Sequence, residues 1–374
     1  MKSLKISSRK KDYEFDYILL FAVLALVAIG VLFVYSASNY SAKNDYGNPY
    51  HFVIKQAIGA CLGLIAMIAA TFLNIDKLKK VALPLLIISY VLLALVFVPG
   101  LGIENYGARR WINLFIFSFQ PSEIAKFAFV LFCAWYMSHE KVDMTKFKSA
   151  LPVLGAGLLG CVLIILEPNM SITVCFGLTM LVLLFLGGTK IKTMLSIILP
   201  LAVAFPCLII FEPYRMQRLL AFVNPWLSPK DEGYQLIQSL YALGSGGWFG
   251  VGLFNSRQKL EFLPFAESDF IFSIIGEELG AVGAICVAAL FAVVIYRGIR
   301  LAINAESKYK ALLAAGITCV IAIQTLINLA VVTGSIPPTG LPLPFVSYGG
   351  TSLVVFMAAS GILLNISKRP VNTI

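Results

Sequence analysis

The chain is short of charge. Only 13% of its 374 residues are Asp, Glu, Lys or Arg, about half the share in soluble domains, while 59% are hydrophobic. That excludes an ordinary water-soluble globule, and a mean hydropathy of +0.87 points to a chain solvated largely by lipid. Histidine is scarcer still. His51 and His139 are the only two and have no metal-ligand spacing. The seven cysteines (Cys61, Cys133, Cys161, Cys175, Cys207, Cys286 and Cys319) all fall in apolar runs and form no Cys-x-x-Cys, so they read as small core residues. No G-x-x-x-x-G-K-[ST] occurs, which removes a P-loop. Acid is short relative to base, leaving a formal net charge of +10. In a soluble protein that would suggest nucleic acid; here Lys and Arg gather beside apolar runs, where they set topology, and no nucleic-acid partner is expected.

What is abundant is the spanning-length apolar run. A membrane helix needs roughly 20 such residues. On that rule ten spans are predicted, at about 17–37, 52–72, 81–98, 122–138, 150–166, 170–187, 193–211, 269–296, 311–333 and 345–366. The fold class is therefore an all-α integral membrane protein, read as one polytopic unit over 1–374. The first span has no trustworthy small-residue cleavage site after it and reads as a retained helix. With the N-terminus inside, alternation puts 19 Lys and Arg on the inner side, five of them in the 1–16 tail, and 8 outside. That bias sets both termini in the cytoplasm of a multi-pass protein. It also marks the outside cations as needing another reason to exist.

Two outer segments stand out. One runs from Pro99 to Pro121. The other, 212–268, lies between the seventh and eighth spans, and a loop of that length is usually functional. Its apolar residues, among them Leu219, Leu220, Trp226 and Leu236, recur at helix-like intervals, which predicts one or two amphipathic helices on the outer membrane surface. No internal repeat is present.

Five groups of residues could carry chemistry. Asp269 stands where the polar loop enters the eighth span, fit either to cap that helix or to act as a general base toward a hydroxyl. Eight residues on, Glu277 lies about 80° round the helix and about 12 Å along it, with Glu278 on the opposite face, so one supports the site while the other bonds between helices. Glu123 and Lys126 share a face near the outer end of the fourth span, behind Gln120-Pro-Ser, and an intramembrane ion pair is a functional candidate unless it merely packs. Arg109 and Arg110 sit beside Trp111 on the outside, against the topology bias. Their guanidinium forks suit a pyrophosphate at the membrane surface, or anionic lipid head groups. The outer loop holds Gly233-Tyr-Gln-Leu-Ile-Gln-Ser239, Gly244-Ser-Gly-Gly-Trp-Phe-Gly-Val-Gly252 and Ser256-Arg-Gln-Lys259, whose glycines permit close approach of backbone to a ligand. Last, Gln324 and Asn328 in the ninth span precede a proline-rich stretch through Ser347. Non-helical backbone at that depth reads as a cavity wall or a stiff connector.

Taken together and in order, Arg109-Arg-Trp, Gln120-Pro-Ser-Glu with Lys126, Gly233-Tyr-Gln-x-x-Gln-Ser, the Gly-Ser-Gly-Gly run, Phe262-Leu-Pro with Ser268-Asp-Phe-Ile-Phe and Glu277-Glu-Leu-Gly, and Pro338-Thr-Gly-Leu-Pro-Leu-Pro-Phe-Val-Ser-Tyr-Gly-Gly resemble the SEDS family (shape, elongation, division and sporulation) over nearly the whole chain. The Pro-Thr-Gly-Leu-Pro form is closer to its FtsW and SpoVE branch than to its RodA branch. The resemblance implies a ten-helix peptidoglycan glycosyltransferase. Such enzymes polymerise lipid II, an undecaprenyl-pyrophosphate disaccharide peptide, on the outer face of the bacterial cytoplasmic membrane, usually beside a class B penicillin-binding protein. It implies Asp269 as the catalytic residue, and Arg109, Arg110, Glu123 and Lys126 on the substrate. Gln235, Gln238, Ser245, Lys259 and Ser347 are further candidate substrate contacts, with Glu277, Glu278 and Asn328 as supports. A carboxylate beside a pyrophosphate can also hold a divalent cation, Mg2+ or Mn2+, which would make Asp269 a ligand instead of a base. Two departures are visible. Phe265 follows Phe-Leu-Pro where many members have an acid, with Glu267 the candidate to replace it, and Ser268 stands where many have Thr. The rival readings are a lipid II flippase and a non-catalytic scaffold that activates a penicillin-binding protein. Polar residues cluster on the outer face and not along a path across the bilayer, which favours surface chemistry.

Overall fold

The computed structural model describes residues 13–105, 108–113, 118–210, 213–231 and 233–370. The basic stretch through Asp12, Gly107, Glu212 and the side chains of Cys207 and Arg215 lie outside the described residues.

Each apolar run becomes a helix. In chain order these are α1 (Tyr17–Tyr46), α2 (His51–Phe72), α3 (Ile75–Leu95), α4 (Pro121–Met137), α5 (Phe147–Leu166), α6 (Met170–Leu186) and α7 (Ile191–Ile210). The outer loop adds α8 (Pro213–Val223) and α9 (Tyr234–Gly246), and the chain closes with α10 (Ile271–Ile303), α11 (Lys308–Val332) and α12 (Gly350–Ser367). Seven of these, α1, α2, α3, α5, α10, α11 and α12, are long and apolar enough to cross a membrane, which makes this a multi-pass membrane protein. At 17 residues α4 and α6 are about 26 Å long, a little under the roughly 30 Å of hydrocarbon, while the 20 residues of α7 reach about 30 Å. The helix starts are legible in side chains. Asp16, Asn74, Asn169 and Ser307 each accept a backbone N–H of the first turn, and Pro121 opens α4 where its missing N–H costs nothing.

Three expectations need correction. Helix α1 runs on to Tyr46, past the predicted end at 37, and stops at Gly47 in the left-handed conformation, so Lys43 belongs to a helix and not a loop. The Pro99–Pro121 segment is not simply a connector. It folds as an antiparallel sheet, with β2 (Gly102–Asn105) paired to β3 (Ala108–Asn113) and β3 to β4 (Ser118–Phe119). Another short pair, β1 (Tyr13–Glu14) with β5 (Arg369–Pro370), ties the two ends together beside an Arg297–Asp16 ion pair of 2.7 Å. Helix α9 does not lie on the membrane surface. It buries Leu236, Ile237 and Ala242, and its Ser239 Oγ bonds Ser273 Oγ of α10 at 2.7 Å and the Val332 carbonyl of α11 at 2.8 Å. Helix α8 keeps the surface character expected of the loop, with Leu220 and Val223 exposed, and the other face of α9 leaves Leu240 and Tyr241 exposed.

The core is built around α4 and α11, whose side chains are buried along most of their length. By contrast α2 turns Ile54, Ile58, Leu62, Ile65 and Ile68 outward at helical spacing, a lipid-facing stripe. Its other face packs on α12 through small residues. A Cβ at Gly63 would stand 2.4 Å from the Met357 sulfur, and one at Gly361 2.3 Å from the Met67 carbonyl. Close backbone approach of this kind is what holds helices together where lipid offers no hydrophobic drive.

Helix α10 is broken. Gly280 has φ 69° and ψ −170°, a conformation open to glycine alone, and the carbonyls and N–H groups freed there do not stay unpaired. The glycine-rich run enters the gap. Val251 and Gly252 donate to the carbonyls of Glu277 and Glu278 at 2.9 and 3.1 Å, while Ala281 and Val282 donate to Gly247 and Trp248 at 2.8 and 3.1 Å. A Cβ at Gly250 would fall 2.1 Å from the Glu278 carbonyl, and one at Gly246 2.0 Å from that of Gly276. The glycines do serve close backbone approach, but to α10 and not to a ligand.

Candidate active site

A cavity of about 2760 Å³ opens at the end of the helices that carries the 212–268 loop. Its floor includes Asp269, held in the turn that enters the first half of α10. Several contacts fix that turn. Asn328 of α11 donates to the Asp269 carbonyl at 2.8 Å and to the Leu341 carbonyl at 2.7 Å. Ser347 Oγ donates to the Ser268 carbonyl at 2.6 Å and accepts the Leu343 N–H at 2.8 Å, and the Tyr348 N–H reaches the Glu267 carbonyl at 2.8 Å. The proline-rich segment therefore runs alongside 267–269 as a splint. Proline makes it stiff, and α11 supplies the side-chain donors that non-helical backbone needs at this depth.

The Asp269 carboxylate accepts from Ser268 Oγ at 3.0 Å. Its other oxygen faces Gly340, where an added Cβ would stand 3.3 Å away and the backbone has φ +73°, so the position suits glycine twice over. Burial pushes the Asp269 pKa above the usual carboxylate range. The Ser268 hydrogen bond and the charges of Arg218 and Arg110 oppose that shift. Glu267 shares the cavity and is also raised by burial, with the charge of Asp269 adding to it. Phe265, where an acid stands in many SEDS sequences, is a partly exposed residue with φ 56°.

On β3 the cavity takes Arg110, Trp111 and Asn113. Arg110 lines the cavity, whereas Arg109 is exposed and does not. Arg110 is seated by its own hydrogen bonds, Nε to the Glu167 carbonyl at 3.2 Å and Nη2 to the Pro168 carbonyl at 2.5 Å. Arg218 of α8 reaches the cavity from the other side, with Nη1 3.4 Å from the Pro338 carbonyl. It was legible only as one of the outer cations that break the topology bias. Lys55 of α2, assigned to a span by its sequence position, also lines the cavity. Below the polar rim the walls become apolar, through Ile58 and Leu62 of α2, Leu92 of α3 and Leu178 of α6. Ile58 and Leu62 belong to the exposed apolar stripe of α2, so this wall is continuous with that stripe.

Other candidates are placed elsewhere. Gln235 of α9 lines the cavity; Gln238 and Ser245 do not, and Ser245 Oγ turns back to the Ala242 carbonyl at 3.0 Å. Glu123 and Lys126 are 1% exposed and closed on each other at 2.9 Å, outside the cavity lining. Lys126 also bonds Gln324 at 2.5 Å, Gln324 bonds the Pro342 carbonyl at 3.0 Å, and Ser352 Oγ donates to Glu123 at 3.1 Å. The pair thus braces the proline-rich splint from behind. Glu277 and Glu278 both grip one loop. Glu277 takes Ser256 Oγ and the N–H of Arg257 at 3.0 Å; Glu278 takes the Phe254 N–H at 3.0 Å, Ser36 Oγ of α1 at 2.6 Å and the Lys259 ammonium at 3.1 Å. Lys259 is 6% exposed, so its charge is largely spent on Glu278 at the cavity edge. Among the described residues, no three His, Cys, Asp or Glu side chains converge as a metal site would need.

Residues 17–371 match the family described as cell cycle protein, which takes in FtsW, RodA and SpoVE. Stage V sporulation protein E of Bacillus subtilis (strain 168) is 40% identical over 355 residues, 94% of this chain and 97% of that protein. A probable peptidoglycan glycosyltransferase FtsW of Geobacter sp. (strain M18) is 39% identical over 362 residues, 95% of this chain and 97% of that one. Among solved structures, a chain from work on structural coordination of polymerization and crosslinking by a peptidoglycan synthase complex superposes with a TM-score of 0.77 at 30% identity, covering 94% of this chain and 97% of its own. The crystal structure of Thermus thermophilus rod shape determining protein RodA gives a TM-score of 0.69 at 28% identity, over 94% and 96%. Cavity, splint and broken helix are thus features of a molecule whose similarity to these proteins is end to end, and the chain belongs to the FtsW, RodA and SpoVE family of cell cycle proteins, the SEDS family.

Proposed function

We propose that the protein is a peptidoglycan glycosyltransferase that polymerises lipid II for cell division or sporulation. The observation that carries the reading is the cavity itself. Asp269 stands in it, beside Glu267 and under the influence of two arginines, and the same space has an apolar wall toward the bilayer. That is the shape a sugar-pyrophosphate-lipid requires: cations for the pyrophosphate, an apolar face for the lipid, and a base where the sugar lies.

The chemistry is an in-line displacement. Asp269 takes the proton from the 4-hydroxyl of the acceptor GlcNAc. That oxygen attacks the anomeric carbon of the donor with inversion, the anomeric carbon–oxygen bond to pyrophosphate breaks, and lipid pyrophosphate departs with the electron pair. Arg110 and Arg218 steady the charge that grows on it. A base must be held in place to act, and the Asn328 and Ser347 contacts do this. A raised pKa suits the role, since a stronger base takes a hydroxyl proton more readily.

In this reading the chain is one polytopic unit with ten spans, α7 and the shorter α4 and α6 included, both termini in the cytoplasm and the cavity outside. A class B penicillin-binding protein is the partner in accord with that chemistry, since one of the similar structures comes from a peptidoglycan synthase complex that couples polymerization to crosslinking. The test is polymerisation of lipid II by the purified chain, alone and with its cognate penicillin-binding partner, for wild type and Asp269→Asn. Polymer from the wild type and at least a hundredfold less from the variant is expected. Equal rates would remove Asp269 from the chemistry, and lipid II movement across liposomes without polymer would favour a transporter.

A further inference from the structure

The glycine-rich segment that fills the break in α10 carries an apolar cluster that the cavity does not use. Trp248 is 71% exposed and its neighbour Phe249 84%, with Val251 and Leu253 exposed just beyond them. None of the four lines the cavity. Adjacent large aromatics turned outward in this way mark a surface that meets something other than water. The main chain behind them is already spent on protein. The hydrogen bonds to Glu277, Glu278, Ala281 and Val282 pair it with both halves of α10. Non-helical backbone paired like this is able to sit at membrane depth, with only its apolar side chains turned to lipid.

Two helices serve as rulers for that depth. At one end Asp16, which caps α1, holds Arg297 of α10 in an ion pair of 2.7 Å, with Arg300 a turn beyond. At the other end Ser36 of α1 donates to Glu278 of α10 at 2.6 Å. Asp16 and Ser36 stand twenty residues apart on one continuous helix, which is about 30 Å and matches the hydrocarbon thickness. Glu278 therefore stands at the far edge of the apolar layer. The Trp248 carbonyl accepts from Val282, fifteen residues before Arg297 and about 22 Å along α10 from it. Trp248 and Phe249 thus fall at about 22–30 Å from the charged end, inside the leaflet on the cavity side, and tilt of either helix only draws them deeper. The pair also tops a stripe. From this point toward the charged end, α10 leaves Val282, Ile285, Ala289, Ala292, Tyr296 and Ile299 exposed at helical spacing.

We propose that 247–252 is a re-entrant segment whose Trp248 and Phe249 insert into the bilayer leaflet on the cavity side, where head groups meet acyl chains. Tryptophan favours that layer because its ring is apolar and its N–H is not. The insertion fixes the depth of the break in α10, and with it the depth from which the Asp269 half of that helix rises. It does not depend on which reaction the cavity carries out.

The experiment reads tryptophan fluorescence of the purified full chain in lipid nanodiscs. Wild type minus Trp248→Phe isolates the emission of Trp248 from that of Trp111, Trp135 and Trp226. Lipid brominated near the head group should remove most of that difference signal, lipid brominated at the chain end should remove less, and iodide in the buffer little. A second protein carrying Trp248→Phe with Phe249→Trp moves the indole by one residue and should respond alike, so the test does not hang on a single substitution. Absence of quenching by brominated lipid overturns the proposal. If iodide then quenches, the segment stands in water; if neither does, a protein surface such as a second copy of the chain covers the pair. Quenching by iodide as strong as that of a free indole overturns it too, whatever the lipid does.

Discussion

Lys126→Met tests whether the intramembrane ion pair is a brace. Both members are 1% exposed, the ammonium is 2.9 Å from Glu123 and 2.5 Å from Gln324, and the Phe356 ring lies 5.2 Å from it. Removing the lysine leaves a carboxylate in apolar surroundings with Ser352 as its remaining side-chain donor. Breaking a buried pair in this way costs about 3–5 kcal/mol, because the surviving charge keeps its desolvation penalty. For a chain of this size, at about 2 °C per kcal/mol, the midpoint of thermal unfolding should fall by about 6–10 °C. Glu123→Gln combined with Lys126→Met removes both charges and should recover most of the loss, to within about 1–2 kcal/mol of wild type. Melting in detergent, followed by intrinsic fluorescence, measures both. A Lys126→Met protein that melts within 1–2 °C of wild type would refute the reasoning, since the pair could not then be closed and dry. Polymerisation by the double variant decides the rest. Activity restored along with stability makes the pair a strut for the proline-rich segment, and stability without activity gives it a part in the reaction.

Three further outcomes follow from the geometry. Gly280→Ala should cost about 2–4 kcal/mol, because the added Cβ would meet the Gly250 nitrogen at 2.4 Å in a left-handed conformation, while Gly244→Ala, with open space around it, should be near neutral; thermal melts of the pair compare them directly. Arg110→Ala should lower kcat/KM for lipid II by about 10–100-fold, the worth of a charge-assisted contact, and Arg109→Ala by less than about threefold; equal losses would contradict the placement of Arg110 on the cavity wall and Arg109 off it. Asp269 must be ionised to accept a proton, and burial raises its pKa, so kcat/KM should fall tenfold per unit as pH drops through a value above the usual carboxylate range. Arg218→Gln, which removes a charge that favours the ionised form, should move that limb to higher pH, and a limb unmoved in the pH–rate profile would detach Arg218 from the site.

Much of the fold was open to one-dimensional reading because lipid imposes it. An apolar run of spanning length has one way to satisfy its backbone, and each predicted span is matched by a helix. The reading erred where that constraint lapses. In the outer loop, helical spacing in α9 was real, but spacing states only that a face is apolar. Whether the face meets lipid or protein was decided by Ser239 reaching Ser273 and Val332. The β2–β4 sheet was invisible because strands this short leave too few residues for an alternation to register. The difference between Arg109 and Arg110 was hidden as well, since only the tertiary structure shows which of them lines the cavity.

By itself, then, the sequence determined the solvent, the helices and the inventory of polar groups worth explaining. Those follow from transfer free energies and charge bias, which act residue by residue. Tertiary structure alone decided what each polar group faces. It set Asp269 beside Gly340 and under two arginines, gave the glycine run to the break at Gly280, tied the Glu123–Lys126 pair to Gln324 and Ser352, and placed the Arg110 guanidinium on the Glu167 and Pro168 carbonyls. These are contacts between residues tens to hundreds apart in the chain, and local pattern carries no information about which distant partner will satisfy a buried donor or charge.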